Sequence, residues 1–457
     1  MNTVERSTWI NSSKLLAIAF SVAGVSACAP EYAGVILTIQ DIPETTARLI
    51  VRPVIDGKTI TAEVFEQGIT GLNEVQVGLR LPRTFVGSKL SLTVDAQSDQ
   101  NCISATAQEN LDLNSVMRYD LKIPLKKTAF SSVVADLYAI HGSAANDIWV
   151  SGANGVTAHF DGCGWKSHPI TNIPGDSSTV YKLYVPPRQP GDDLTQPNTA
   201  FAIMSPGVVR MWDGTQWQPS VAPPSGKFSA IHGSSRNNIW AVGEGASGGC
   251  VLYRYDGSSW VSAVYCQGTP GYYMRAVHVV SDTTAFAGGT ENGLPVAARF
   301  NKQMSKWEPI NFSPMFPPAS STIPGNISAV YASQDGVERN AWVGGELNTL
   351  HFNDATGGTF SMNNQVSSSI GAVMKPSSIV AMSGSAGDDI WLVSQTITGT
   401  SKTSYVFHYT AGKWNHETRL SSYLINNVWV NTKNDVWFVG PAGLRIRYDG
   451  QTFAMSN

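Results

Sequence analysis

A chain of 457 residues is too long for one small core, so two or more domains are expected. Charged residues make up only 14% of it, and 42 Gly and 13 Trp accompany few Ala/Glu/Lys/Leu runs, a balance that favours short strands joined by turns. A net charge of −3 supplies no basic stripe for nucleic acid or anionic lipid, which argues against a nucleic-acid-binding function.

The first 27 residues read as an export signal. Arg6 and Lys14 precede the apolar run Leu15 to Val25, which is too short to cross a bilayer and ends in small residues. The next residues, Val25-Ser26-Ala27-Cys28, resemble a bacterial lipobox. That resemblance implies that Cys28 becomes the first residue of the mature chain and carries a diacylglyceryl group. Its acyl chains, at about 0.8 kcal/mol per buried methylene, would hold the protein on a membrane. Ala29 stands after the cysteine instead of Asp, so nothing signals inner-membrane retention by the enterobacterial rule, and the outer membrane is the expected location. The simpler reading is an ordinary signal peptide cut near Ala27, with Cys28 a plain thiol.

Residues 28–127 form the first expected domain. Five runs, "GVILTIQDI", "ARLIVRPVIDG", "EVQVGLRLP", "KLSLTVDAQ" and "MRYDLKIPL", are rich in β-formers and several alternate apolar with polar residues. Turn signals separate them at the spacing of a sandwich, so an Ig-like or fibronectin-like β-sandwich is expected, with Lys126 to Ser132 as linker.

From residue 128 to residue 457 one pattern recurs. "AIHGSAANDIWVSG" (139–152) is nearly repeated as "AIHGSSRNNIWAVG" (230–243). Extending the match gives seven units of four short strands, each ending in a DGxxW-like turn. The second-strand aromatics are Trp149, Phe201, Trp240, Phe286, Trp342, Trp391 and Trp437. The third strands end near Phe160, Trp212, Tyr255, Phe300, Phe352, Tyr409 and Tyr448. The fourth strands open on Trp165, Trp217, Trp260, Trp307, Phe360, Trp414 and Phe453, spaced 39 to 54 residues apart. Such a period with four strands per unit matches propeller blades, in which bulky rings fill the gaps between neighbouring sheets. An all-β, seven-bladed β-propeller is expected. Gly152, Gly243 and Gly440, after second strands, suit turns that need φ > 0.

"NDIWVSGANGVTAHFDGCGW" and "NDVWFVGPAGLRIRYDGQTF" resemble the W-x-V-G…[FY]-D-G-x-x-W repeats of bacterial surface propeller proteins, common in myxobacterial-type species and distantly similar to kelch and BNR units. The resemblance covers roughly residues 133 to 457 and implies a fold, not an activity.

The cysteines offer one pairing. Cys250 and Cys266 are symmetric about residue 258, so a hairpin turning at Gly257–Ser259 places them opposite each other, ready for a disulfide in an oxidising compartment. A register slip would leave two thiols instead. Cys102 and Cys163 lie in different parts of the chain with no spacing that argues for a bridge, and no CxxC pair or Cys/His cluster points to a metal. No cofactor motif is present.

Catalytic candidates dissolve into the repeat. His141, His232 and His278 fall in first strands, while His159, His351 and His408 precede third-strand aromatics, where Arg254, Arg299 and Arg447 stand in other units. A metal site does not tolerate that exchange, so these residues are expected to be structural. Asp389 occupies a repeated turn, and Asp192–Asp193 lie in a long polar insert. No nucleophile–base motif or phosphate loop occurs.

Long loops are expected on the face made by fourth-to-first and second-to-third connections. Tyr272, Tyr273, Phe312, Met315 and Phe316 are the exposed aromatic or apolar candidates for protein or glycan binding, unless they merely cover the ring. The expected function is therefore a membrane-anchored lipoprotein presenting a non-catalytic binding face. The alternative is a carbohydrate-active hydrolase or lyase with its site at the channel mouth.

Overall fold

In the computed structural model, residues 32–456 are described apart from 44–45, 67, 99–101, 115–117, 128–133, 171–178, 193–197, 206, 220–225, 247, 264, 267–269, 311–325, 336–337, 346–348, 354–359, 364–376 and 399–400. The chain divides into two compact units, Met1–Phe130 and Ser131–Asn457. Among the described residues there is no α-helix, only strands and short 3₁₀ turns.

Alternation builds the first unit. Strands β1 (Tyr32–Gln40), β5 (Glu74–Pro82) and β8 (Arg118–Pro124) form one sheet in the order β5-β1-β8. Strands β2 (Arg48–Ile55), β3 (Lys58–Thr59), β6 (Lys89–Gln97), β7 (Ile103–Asp112) and β9 (Lys126–Lys127) form the other, with β4 (Glu63–Phe65) pairing β2. Every second residue of β1, β2, β5 and β6, such as Val35, Val51, Val77 and Leu92, points into one shared core. The five apolar runs are thus strands. Lys126 and Lys127 are not linker: their backbones pair with Thr106 and Ala105, which extends the sheet by two residues.

Among the described residues, the second unit forms seven four-stranded antiparallel sheets, spanning residues 137–167, 180–219, 227–262, 272–310, 327–363, 377–416 and 427–455. Each takes its four strands consecutively from the sequence. First strands of consecutive sheets pack on one another, and the first strand of sheet one (Leu137–Ala144) packs on that of sheet seven (Asn427–Thr432), so the sheets close into the ring of a β-propeller.

The aromatic triplets explain the closure. Third- and fourth-strand aromatics are register partners in each sheet, from Phe160↔Trp165 to Tyr448↔Phe453. That pair clamps the second-strand aromatic of the preceding sheet. Trp149 lies 5.1 Å from Trp212 and 5.4 Å from Trp217 by ring centroids. Trp240 lies 5.0 and 5.1 Å from Phe300 and Trp307, and Phe201 lies 5.6 Å from Tyr255. Trp342 meets Tyr409 at 4.7 Å, and Trp391 meets Tyr448 at 5.5 Å. The same contact joins the ends of the ring, where Trp437 lies 5.3 Å from Phe160 and 5.9 Å from Trp165. Between sheets four and five, the clamp would fall on Phe352 and Phe360, whose side chains lie outside the described set. Each such ring pair adds about 0.5–1.5 kcal/mol beyond its buried area.

The DGxxW turn has its own logic. Asp256 accepts hydrogen bonds from the backbone N–H groups of Ser258 and Ser259, and Gly257 takes φ 100° between them. Asp161, Asp213 and Asp449 do the same in sheets one, two and seven.

The glycines after the second strands require a correction. Gly152 and Gly440 have φ −168° and −158°, ordinary extended backbone, and Gly243 is not among the positive-φ residues. What they lack is room. A Cβ at Gly152 would stand 1.9 Å from the Asp136 carbonyl oxygen, and one at Gly243 2.1 Å from that of Lys227. In both sheets a bulge in the opposing first strand adjoins this pairing. The left-handed conformation falls on Asn154–Gly155 and Ala442–Gly443 instead.

Candidate functional site: the central channel

One residue per first strand pairs directly with the second-strand aromatic: His141, Tyr184, His232, His278, Tyr331, Ser383 and Trp429 in sheets one to seven. The six rings among them, with Ser383 in sheet six, form a layer across the channel. His232 stacks on His278 with centroids 4.1 Å apart, and Tyr184 lies 5.1 Å from both His141 and His232. Tyr331 lies 5.0 Å from His278.

The histidines also lock neighbouring sheets together. His141 Nδ1 accepts from Val185 N–H at 3.1 Å, His232 Nδ1 from Val279 N–H at 3.0 Å, and His278 Nδ1 from Ala332 N–H at 3.3 Å. Ser383 Oγ accepts from Val430 N–H in the same way. An accepting Nδ1 leaves the proton on Nε2, so each ring is neutral and retains one N–H donor. Enclosure by protein holds all three imidazoles below the usual value, His232 to about 4, with charge repulsion from His232 adding to the effect on His141 and His278.

A cavity of about 120 Å³ lies against this layer on the side of the N-terminal ends of the first strands. By strand direction, that is the end at which fourth-to-first and second-to-third connections meet. Lys182 and Arg275 line the cavity, and no Asp or Glu is among its described lining residues.

The histidines before the third-strand aromatics do a different job. His159 Nε2 donates to Asp147 Oδ1 at 2.8 Å, and Ser143 Oγ donates to the other oxygen of the same carboxylate. His408 and Ser385 hold Asp389 identically in sheet six, with His408 stacked on Trp391 at 4.1 Å. His351 faces Asn340 at 3.2 Å, Arg254 donates to Asn238 at 2.8 Å, and Arg447 donates to Asp435 at 2.7 Å. Burial raises the Asp147 and Asp389 carboxyls, and hydrogen bonds from His and Ser outweigh it, leaving both below the ordinary carboxylate value. Ser143, Asp147 and His159 are the residue types of a hydrolytic triad in the wrong order. The carboxylate sits between hydroxyl and imidazole, so no base faces the Ser oxygen. The cluster anchors the start of the second strand.

The other sequence candidates are placed as follows. Tyr272 and Tyr273 are not on a loop. They begin a strand (Tyr272–Val279), paired with Glu291 and Thr290, directly after the Pro270–Gly271 turn. Both are half-buried, and the Tyr272 hydroxyl lies 3.2 Å from that of Tyr265. Cys28, Phe312, Met315 and Phe316 lie outside the described residues. Cys250 and Cys266 come to a Cα–Cα separation of 5.4 Å, which a disulfide spans. The ladder is not symmetric about residue 258, however. Tyr255 faces Trp260, so continued pairing would place Cys250 opposite Tyr265. The regular strand stops at Ser262, and the irregular chain beyond it delivers Cys266. Asp192, in that polar insert, is half-buried and ion-paired: Arg236 grips both of its oxygens, at 3.0 and 2.5 Å, while Asp193 lies outside the described residues. Among the described residues, no group of three or more His, Cys, Asp or Glu side chains could hold a metal ion.

Lys182 escaped sequence reasoning, although a signal existed. It stands two residues before the layer position, where sheets one, three, four, five and six carry Ala139, Ala230, Ala276, Ala329 and Ala381.

No family model matches the chain, and no curated protein does. Solved structures match about 70% of the chain. YCF48 from Cyanidioschyzon merolae is 14% identical with a TM-score of 0.50, covering 70% of this chain and 98% of its own. A structure of YCF48 bound to D1 peptide is 12% identical with a TM-score of 0.47, covering 70% and 95%. The RRP9 WD40 repeats are 8% identical with a TM-score of 0.48, covering 68% and 90%. The first of these likenesses supports the propeller fold and carries nothing about activity.

Proposed function

We propose that the protein is a lipid-anchored bacterial envelope protein whose seven-bladed propeller, preceded by an Ig-like or fibronectin-like sandwich, binds a protein or glycan without transforming it. The anchor would be the diacylglyceryl group on Cys28, the destination the outer membrane, and Cys250–Cys266 a disulfide formed after export. One observation carries the non-catalytic reading. The described His–carboxylate pairs, His159–Asp147 and His408–Asp389, are taken up in structural contacts, with Ser143 and Arg188 also on Asp147 and Ser385 on Asp389, and the channel cavity lacks a described carboxylate for acid–base work on sugars.

Two experiments test this. Globomycin is expected to make the uncleaved precursor accumulate, and a Cys28→Ser variant to take up no lipid, so that neither yields the mature lipidated chain. Unchanged processing and retention would end the lipoprotein proposal. The full chain, extracted in detergent, is expected to capture a ligand saturably from a glycan array or an envelope extract and to leave glycans intact. Release of shorter sugars would favour the hydrolase reading.

A further inference from the structure

The channel cavity holds a charge that nothing described neutralises. Lys182 lines it, yet the ammonium makes no hydrogen bond or ion pair with any described residue. Around it the same register position is alanine in five sheets, each at most 6% exposed, and Asn427 in the seventh. Asn427 is already engaged, donating to the Tyr138 carbonyl and accepting from Val428 N–H. Arg275 sits one position earlier in sheet four, at a bulge, and it too has no partner among the described residues. In the matching bulges of sheets two and five, Tyr181 and Ser328 spend their hydroxyls on the next sheet's carbonyls, of Phe228 and Ile379. The His layer that bounds the cavity adds further donors, since each Nδ1 is occupied and each Nε2 carries hydrogen.

Lys182 is half-buried, with alanine at five of the six equivalent positions around it, and a charge so placed favours an anion beside it. The usual solution is a carboxylate from a neighbouring strand, and the described lining contains none. A cation or a metal would meet the positive charges of Lys182 and Arg275 and no described carboxylate. We infer that the channel cavity is a binding site for a small oxyanion, a carboxylate or a phosphate, with Lys182 as its counter-charge and Arg275 and the imidazole N–H groups as supporting donors. The cavity volume of about 120 Å³ equals about four waters of liquid, which suits acetate, succinate or inorganic phosphate. Enclosure also lowers the basicity of Lys182, as expected of an ammonium awaiting a partner. The site lies at the same end of the ring as the loops of the proposed macromolecule-binding face, but it rests on Lys182 and the first strands and not on those loops, so it survives that proposal's failure.

Thermal unfolding and titration calorimetry of the full chain test it, with acetate, succinate and phosphate each compared against NaCl of equal ionic strength. At saturating anion the expected rise in Tm is about 3 °C beyond the salt control. Response to the carboxylates alone, or to phosphate alone, identifies the source. Lys182→Met is expected to abolish the response and, without anion, to unfold no earlier than the natural chain, because an uncompensated charge is gone. Lys182→Gln reads the same loss if the Met variant does not fold. Arg275→Gln is expected to weaken affinity about tenfold. No anion-specific shift in the natural chain, or an undiminished shift in the Lys182 variants, overturns the assignment.

Discussion

Replacing Trp437 by Ala is expected to destabilise the propeller by about 3–5 kcal/mol, the cost of removing a large buried ring. Trp437 is 1% exposed and belongs to the last sheet, yet Phe160 and Trp165 of the first sheet pack on it. Its Nε1 donates to Asp435 at 2.9 Å, and the Arg447 guanidinium lies 5.3 Å over its ring. Truncation therefore removes packing across the seam and frees a buried carboxylate from one donor. Urea denaturation followed by far-ultraviolet circular dichroism measures the loss. Met455→Ala, on a side chain 53% exposed in the same sheet, serves as the control and should change little. A loss below about 1 kcal/mol for Trp437→Ala would mean that the rings do not wedge the circle shut.

Acid is expected to loosen the same ring. The imidazoles of His141, His232 and His278 are held neutral, so their folded pKa values lie below that of a free imidazole. The unfolded chain then takes up protons first, and stability falls as pH drops below about 6.5. The stabilisation is fully present above that pH and lost as pH falls through the folded value, about 4 for His232. For that residue the span amounts to about 3 kcal/mol. Lys182 and Arg275 are the charged groups that line the cavity beside the layer, and no described carboxylate there relieves its protonation. His168 and His351, each held to about 4, act in the same direction, whereas Asp147 and Asp389 act only below the ordinary carboxylate range. Sheets two and five carry Tyr184 and Tyr331 at the layer position. His232→Tyr should therefore flatten the pH dependence of the urea midpoint between pH 6.5 and 4.5, by about 1.4 kcal/mol per pH unit. An unchanged slope would show that the layer does not resist protonation.

Much of the ring was legible because packing repeats. An aromatic wedge has to recur wherever two sheets meet, so Trp149, Trp240 and Trp391 announce equivalent places in different sheets. Strand β7 was not legible: its "ISATAQENLD" exposes most of one face and offers little apolar alternation. The role of Gly152 was misjudged because sequence shows that a side chain is missing, not whether torsion or crowding forbids it. The shift between Cys250 and Cys266 depends on where a strand stops, which no symmetry of numbering reveals. Lys182 is the instructive miss. Repeat reading rewards what recurs, whereas a ligand site is marked by the unit that departs from its siblings.

Each sheet draws all four strands from one continuous stretch, and the seam is held by side chains and a few bonds such as Asn426 to the Leu137 carbonyl and Trp165 to Ser456. A circle assembled this way is modular. A whole unit can be copied or deleted at the level of the gene without cutting any sheet in two. The nine residues of fourteen shared by 139–152 and 230–243 are the kind of trace such copying leaves, and they mark those two stretches as natural splice points for engineered rings of altered size.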